Sequence, residues 1–147
     1  MTKKLKIILL NPAWVCFTWF GMTAGVSLLA TPMRFAAPTI TRPVALDVGR
    51  VVFGALNKAE LIALVLLLIV VRTSGQARRL WAFAGILALI VLAQSVWLLP
   101  ELGERAQMVV AGIEPPPSIT HGVYSSLELN KLGLLAWLGF SSLRAGT

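Results

Sequence analysis

Residues 80–100 read LWAFAGILALIVLAQSVWLLP, a run of 21 residues without one charged side chain. A helix needs about 20 predominantly apolar residues to cross the ~30 Å hydrocarbon core of a bilayer. Only helices and closed barrels satisfy their backbone hydrogen bonds in lipid, and one unbroken apolar run of this length is typical of a helix. The run therefore predicts a membrane-spanning helix and an all-α fold.

The composition of the whole chain agrees with a membrane protein. Its 147 residues are 57% hydrophobic and 13% charged, whereas an average soluble domain is about 25% charged. With so few charged groups, a water-soluble globule could not cover its surface. We therefore interpret residues 1–147 as a single membrane domain, with the lipid bilayer as its first partner.

Further apolar runs predict three more spans. The four predicted spans are residues 12–30, 43–72, 80–100 and 118–143. Thr41 before Pro43, and Ser118 after three prolines, are typical of helix starts. The sequence thus predicts an all-α, four-helix membrane bundle.

Basic residues that flank the spans predict the orientation. One side would hold Lys3, Lys4, Lys6, Arg72, Arg78, Arg79 and Arg144, and the other side would hold Arg34, Arg42 and Arg105, diluted by Glu101, Glu104 and Glu114. Because basic loops stay in the cytoplasm, we expect both termini on the cytoplasmic side of a bacterial inner membrane. The net charge of +7 is divided among short segments, which excludes the basic face of a nucleic-acid-binding protein.

Polar residues inside the apolar runs form the candidate site. They are Arg50, Asn57, Lys58 and Glu60 in the second span and His121, Ser125, Glu128 and Lys131 in the fourth. A charge at the bilayer centre costs about 2.5–3.5 kcal/mol on insertion scales, so these side chains are expected to face the bundle interior. Spans two and four run in the same direction. This favours pairing of Lys131 with Glu60, and of Arg50 or Lys58 with Glu128.

The predicted polar network has two interpretations. It is either a clasp that fixes the helix register, or a site that binds an ion, a proton or a ligand. His121 would bind a metal or a ligand, relay a proton or hydrogen-bond its neighbours. A haem would need Met22, Met33, Met108 or a residue of a partner protein as its second ligand. We expect no cofactor. We also expect no enzymatic activity, because no nucleophile is placed beside a base or a metal cluster.

A small-residue pattern lies in the first span, where Gly21 and Gly25 are four residues apart. Such a pair lets another helix approach closely. We expect this face to pack within the bundle, and the alternative is a contact with a second protein.

Four segments of the chain resemble a known family. They are residues 19–21 (WFG), 30–35 (ATPMRF), 45–53 (ALDVGRVVF) and 121–123 (HGV). Their order and spacing resemble the four-span membrane family of unknown function that includes transmembrane protein 205 and small bacterial relatives. The resemblance marks Pro32, Phe35, Gly49, Phe53, His121, Gly122 and Asn130. It implies four helices and no established chemistry, and this chain departs from the family in its mid-span charges.

Two functions stay open from the sequence. The first is a non-enzymatic accessory or interaction subunit of a larger membrane complex, because little mass lies outside the membrane. Its partner would be another membrane protein or a second copy of the chain. The alternative is a small ion-, proton- or metal-coupled carrier that works through Glu60, Glu128 and His121.

Overall fold

A computed structural model of the chain describes residues 11–73 and 78–145. These residues form four long helices and no strand: α1 at Pro12–Ala36, α2 at Arg42–Thr73, α3 at 78–110 and α4 at Thr120–Ala145. The all-α prediction is confirmed. Lys3, Lys4 and Lys6, on which the predicted orientation partly rests, lie outside the described residues.

Three of these helical segments are long and apolar enough to cross a membrane: Pro12–Ala36, Arg42–Thr73 and Leu80–Val110. Their outer faces are apolar, and Ile62, Leu89 and Val96 are 63%, 69% and 77% exposed. Because so large an apolar surface is stable in lipid and not in water, the three helices indicate a membrane protein. Helix α4 has 26 residues, and its mean hydropathy is lowered by Glu128 and Lys131.

Two helix starts carry side-chain caps, and the one at Ser118 agrees with the sequence. The Asn11 side chain accepts a hydrogen bond from the Ala13 amide at 2.9 Å, and Pro12 occupies the first turn of α1. The Ser118 hydroxyl accepts one from the Thr120 amide at 3.1 Å. These bonds satisfy amide groups that have no partner inside the helix.

Helices α1 and α3 each continue through a proline by means of a short π-helical segment. The segments are Gly25–Ala30, which precedes Pro32, and Gln94–Leu98, which precedes Pro100. Proline lacks an N–H, and its ring collides with the carbonyl four residues earlier, which lies in the π segment in both helices. The wider π turn relieves this conflict. The helices therefore extend to Ala36 and Val110, beyond the predicted ends of spans one and three.

The end of the bundle that holds residues 11 and 145 is closed by apolar packing. Leu67, Leu87 and Leu135, from α2, α3 and α4, have no exposed surface there. Helix α1 approaches α4 so closely at Gly139 that a Cβ atom at this position would lie 2.7 Å from the Phe17 ring. Among the described residues of this end, no water-filled path is expected past Leu67, Leu87 and Leu135, because these side chains are closely packed and apolar.

The opposite end holds the loop 111–119, which polar contacts fix to the helices. Arg42 of α2 donates two hydrogen bonds to the Glu114 carboxylate, each at 3.1 Å. Arg105 of α3 donates to the carbonyl of Pro116. The two ends of the bundle therefore differ, since one is held by apolar packing and the other by polar contacts around the loop.

Candidate functional site

The centre of the site is the ammonium group of Lys131 in α4, which has no exposed surface. Its Nζ atom lies 2.6 Å from Glu60 Oε1 of α2 and 2.8 Å from Glu128 Oε2, one turn earlier in α4. It also donates a hydrogen bond to Gln94 Oε1 of α3 at 2.8 Å. All three N–H donors of the ammonium group are thus used. The structure brings together Lys131 and Glu60, the pair that the sequence favoured.

Helix α1, absent from the predicted network, supplies further partners for both carboxylates. Trp19 Nε1 and Thr23 Oγ1 donate hydrogen bonds to Glu60 Oε1 at 3.0 and 2.8 Å. Ser27 Oγ donates one to Glu128 Oε1 at 2.7 Å. Hydrogen bonds to an ionised acceptor are stronger than those between neutral groups, so α1 helps to hold the charges of α2 and α4 in place.

Gln94 of α3 links the ammonium group to a carboxylate. Its Oε1 accepts from Lys131, and its Nε2 donates to Glu128 Oε2 at 2.8 Å. An amide can do both at once because it carries a donor and an acceptor. Glu60, Gln94, Glu128 and Lys131 are together called the buried cluster below, and three of the four helices contribute to it.

The two π-helical segments place part of this site. Ser27 lies in the segment Gly25–Ala30 of α1, and Gln94 lies in the segment Gln94–Leu98 of α3. A π turn inserts one residue and so changes which side chains face the bundle interior, and such turns occur frequently at functional sites. The prolines that force the π turns therefore also help to aim two polar side chains at Glu128.

The buried cluster contains one more carboxylate than ammonium groups. Glu60, Glu128 and Lys131 are all buried, and two carboxylates against one ammonium group give a formal charge of −1 when all are ionised. An uncompensated charge in a low-dielectric interior is costly. One bound proton or one bound cation would balance the cluster.

A cavity of 410 Å³ lies between the four helices, on the side of the loop 111–119. Helix α2 lines it with one face, whose residues recur at helical spacing: Leu46, Gly49, Arg50, Phe53, Gly54, Asn57 and Lys58. At its deep end Asn57 donates a hydrogen bond to Ser95 at 2.8 Å. Asn57 is one turn before Glu60, and Ser95 follows Gln94 directly. The cavity therefore ends beside the buried cluster.

Tyr124 lies between the cavity and the buried cluster. This buried side chain lines the cavity and packs edge-to-face against Phe53, with ring centroids 5.6 Å apart. It precedes Glu128 by one turn of α4.

Among the described residues, the cavity is lined by the basic residue types Arg34, Arg50, Lys58 and His121, and by no Asp or Glu. Arg50 is already paired, because its guanidinium lies 2.8 Å from the Asp47 carboxylate. The Nε atom of Arg34 is buried and has no hydrogen-bond partner in the described part of the chain. Gly49 makes room for this group, since a Cβ atom there would lie 2.7 Å from the Arg34 guanidinium.

The predicted pairing of Arg50 or Lys58 with Glu128 is wrong. Both basic side chains are exposed, and Arg50 is paired with Asp47. Glu60 is the residue of α2 that contacts Lys131 of α4. Lys58 precedes it by two residues, which places Lys58 about 200° away around a helix of ~3.6 residues per turn. Arg50 lies about 15 Å from Glu60 along the helix axis at ~1.5 Å per residue. Glu128 pairs with Lys131 of its own helix instead.

Of the other predicted residues, Asn57 and His121 line the cavity. Asn57 and Ser125 are half-buried, and His121 is exposed at the cavity wall, two turns before Glu128. His121 is therefore outside the buried network in which it was predicted. In residues 11–73 and 78–145, no group of three His, Cys, Asp or Glu side chains could hold a metal ion.

The face of Gly21 and Gly25 does not pack inside the bundle, contrary to the expectation. A Cβ atom at either position would meet nothing within 4 Å. Leu28, one turn further along the same face, is also exposed. This side of α1 is open in the isolated chain.

Sequence reasoning missed Trp19, Thr23, Ser27, Gln94 and Arg34. Trp19, Thr23 and Ser27 recur every four residues, which places them on one face of α1. Gln94 is a polar residue within the otherwise apolar run 80–100. These two signals were available, whereas the π turns that aim Ser27 and Gln94 required the three-dimensional structure.

Comparison of the chain with protein-family models, with curated proteins and with solved structures finds no match. The resemblance to the family of transmembrane protein 205 therefore stays a prediction. The buried cluster and the cavity beside it are the features of the molecule that indicate a function.

Proposed function

We propose that the chain is a small, non-enzymatic membrane carrier whose buried cluster binds and releases a proton. The observation that supports this function best is the excess carboxylate of the cluster beside a cavity that reaches it from one end. The other end is closed by apolar packing around Leu67, Leu87 and Leu135. Ionisable groups inside a membrane protein are expensive and commonly mark ion or proton pathways.

The membrane arrangement that belongs to this proposal has four spans. Helix α4 serves as the fourth span, because Glu128 and Lys131 are buried against other helices and do not face lipid. The basic residues Arg72, Arg78 and Arg144 lie at the closed end of the bundle and would place both termini in the cytoplasm of a bacterial cell. The cavity then opens toward the outer side of the inner membrane.

A proton would change the balance of charges around Lys131. No other formal charge among the described residues contacts the carboxylates, because Trp19, Thr23 and Ser27 of α1, Gln94 of α3 and the Tyr124 hydroxyl of α4 are neutral donors or neighbours. With a proton bound, Lys131 balances one carboxylate, and without it Lys131 must balance two. The attraction between α2 and α4 therefore depends on proton occupancy, which is the coupling that a carrier requires.

Flux through reconstituted protein tests the proposal. Proteoliposomes with a pH-sensitive dye inside are given an acidic exterior, with Na⁺, K⁺, Cl⁻, phosphate or an organic anion added in separate trials. The wild-type chain is expected to move protons under at least one of these conditions, and Glu128→Gln is expected to abolish this flux. Glu104→Gln is the matched control, because Glu104 is exposed on α3.

The outcomes separate a carrier from a fixed clasp. Circular dichroism establishes that the Glu128→Gln protein remains helical. If that variant does not fold, Ser27→Ala removes one hydrogen bond to the same carboxylate and should slow the flux. Absence of flux under every condition, or equal flux in the Glu128→Gln and Glu104→Gln proteins, would overturn the carrier and leave only the clasp.

The open face of Gly21 and Gly25 supports a second candidate function. It suits an accessory subunit that pairs with another membrane helix, from a larger complex or from a second copy of the chain, because small residues permit close approach. Gly21→Leu should then abolish association measured by energy transfer between labelled chains in lipid nanodiscs or by copurification with a defined complex. Gly133→Leu is the control, because Gly133 is also an open helical glycine but lies on α4. Equal association of both variants would exclude this face.

A further inference from the structure

The cavity has the size and lining of a small-molecule site. Its 410 Å³ lie in the range of about 300–1,000 Å³ that is usual for ligand pockets. Phe35, Phe53 and Leu99 give it apolar walls, and a few polar groups converge on it. Such a combination suits a ligand with an apolar body and one polar group.

The charge of the lining indicates the sign of the ligand. Within the described residues, no Asp or Glu lines the cavity, whereas Arg34, Lys58 and His121 do. Arg34 is the decisive residue because it lines the cavity and its Nε donor has no hydrogen-bond partner among the described residues. A guanidinium group pairs with the two oxygens of a carboxylate, sulfonate or phosphate group in a fixed planar geometry.

The position of the Arg34 guanidinium requires that residue 49 has no side chain, as is the case for Gly49. A Cβ atom at residue 49 would approach three atoms of the Arg34 guanidinium to 2.7, 2.8 and 2.9 Å, so any larger residue must displace it. The Arg34 side chain also lies over the Phe35 ring, 5.1 Å from the centroid. The guanidinium thus lies at the wall of the cavity, beside Gly49 and Phe35.

We propose that the cavity binds an organic anion, whose oxyanion headgroup pairs with Arg34 and whose apolar body contacts Phe53 and Leu99, and that the anion binds together with the proton of the buried cluster. The joint binding rests on the proposed function. An anion that enters beside Asn57 and Tyr124 approaches a cluster with excess negative charge, and a proton on the cluster removes the repulsion. Anion and proton therefore each increase the affinity for the other, as thermodynamic linkage requires.

Binding of hexanesulfonate to the full chain in nanodiscs is the direct test. Its charge is constant over the working pH range, so any pH dependence belongs to the protein. Arg34→Gln should weaken binding about tenfold or more, the loss expected for a hydrogen bond to a charged group, and Arg34→Lys should restore part of it. Gly49→Ala should also weaken binding, because it displaces the guanidinium.

Two controls establish that the charge and the place matter. Arg42→Gln should leave binding unchanged, since Arg42 is exposed at the same end of the bundle and paired with Glu114. Hexyltrimethylammonium, with the opposite charge on a similar chain, should not compete. Equal weakening by Arg34→Gln and Arg42→Gln, or equal competition by the cation, would overturn the anion site.

The outcomes also separate the anion site from the proton site. Binding that strengthens as the pH falls, and that loses this dependence in Glu60→Gln with Glu128→Gln, supports joint binding. Binding of the anion that is independent of pH would overturn the coupling and leave the anion site. Proton flux without any binding of hexanesulfonate would overturn the anion site and leave the proposed function.

The source of the anion is distinguished by mass spectrometry of the purified protein. A copurified anionic phospholipid that Arg34→Gln removes identifies a lipid headgroup as the ligand. Reversible binding of hexanesulfonate to a lipid-free protein identifies a soluble anion. Both results support the anion site. An anionic lipid that the Arg34→Gln protein retains equally well would contradict the assignment of a lipid headgroup to this site.

Discussion

Two ionic contacts in this molecule have similar lengths and very different surroundings. Lys131 lies 2.6 Å from Glu60 and 2.8 Å from Glu128, and the exposed fractions of the three side chains are 0%, 1% and 4%. Arg42 lies 3.1 Å from Glu114, with exposed fractions of 59% and 71%. The second pair can exchange each partner for water at little cost, whereas the buried cluster cannot. The distance between the charged atoms therefore says little about the energetic effect of an ion pair.

The difference also concerns the number of charges. Arg42 and Glu114 balance one another, and the exposed pair needs nothing further. The buried cluster has two carboxylates for one ammonium group, and all three side chains are buried. An imbalance of this kind has a functional consequence only where water cannot screen it.

The largest effect is expected from Lys131→Met. The substitution leaves two buried carboxylates near each other without a cation, and breaking a buried ion pair in this way costs about 3–5 kcal/mol. Chemical unfolding of the purified protein in detergent, followed by circular dichroism, measures the loss. The matching change at the surface, Arg42→Met, should leave the unfolding midpoint almost unchanged.

A triple variant sharpens this result. Lys131→Met combined with Glu60→Gln and Glu128→Gln contains no buried charge, so much of the lost stability should return. If the losses of stability from the three substitutions simply add, the three charges do not interact. The buried cluster would then resemble the exposed pair of Arg42 and Glu114.

An intermediate effect is expected from Thr23→Val, which removes a hydrogen bond to Glu60 while nearly preserving the shape of the side chain. Hydrogen bonds to charged groups contribute about 1.5–3 kcal/mol. Thr18→Val is the control, because Thr18 is exposed on the same helix. Equal unfolding midpoints for the two variants would mean that α1 does not support the carboxylate.

The smallest effect is expected at the exposed pair. The hydrogen bonds from Arg42, together with its charge, hold the pKa of Glu114 below its usual range. A carboxylate whose pKa is lower in the folded state contributes stability that is present at neutral pH and is lost as the pH falls through the lowered value. Glu114→Gln should therefore change the unfolding midpoint slightly at neutral pH and low salt, and not at all at high salt. A large, salt-independent change would contradict the assignment of this pair as a surface contact.

The sequence predicted the helices well because their signal is strong and local. The charge-free run 80–100 and the apolar runs at 43–72 and 12–30 all became long helices. The pairing of Lys131 with Glu60 followed from helix direction and depth alone. Such inferences need only the periodicity of a helix and the cost of a charge in lipid.

The rest of the site depended on rotation of the helices about their axes. Lys58 was predicted in the network because of its depth, but it faces away from Glu60 by about 200°. Ser27 and Gln94 reach the cluster because they lie in π turns. The prolines suggest where the π turns occur, but they do not indicate in which direction the side chains then point. The open face of Gly21 and Gly25 is a further example, since a small-residue pattern in the sequence does not identify the helix against which this face packs.

The most direct test of the account is whether the buried cluster holds a proton. Infrared spectroscopy of the protein in nanodiscs detects the C=O stretch of a protonated carboxyl group, and exposed carboxylates do not contribute at neutral pH because they are ionised. We expect one such band, unchanged in Glu104→Gln and absent in the double variant Glu60→Gln with Glu128→Gln. A wild-type protein without this band from neutral to mildly acidic pH would mean that both carboxylates stay ionised around Lys131, and it would contradict the proton site.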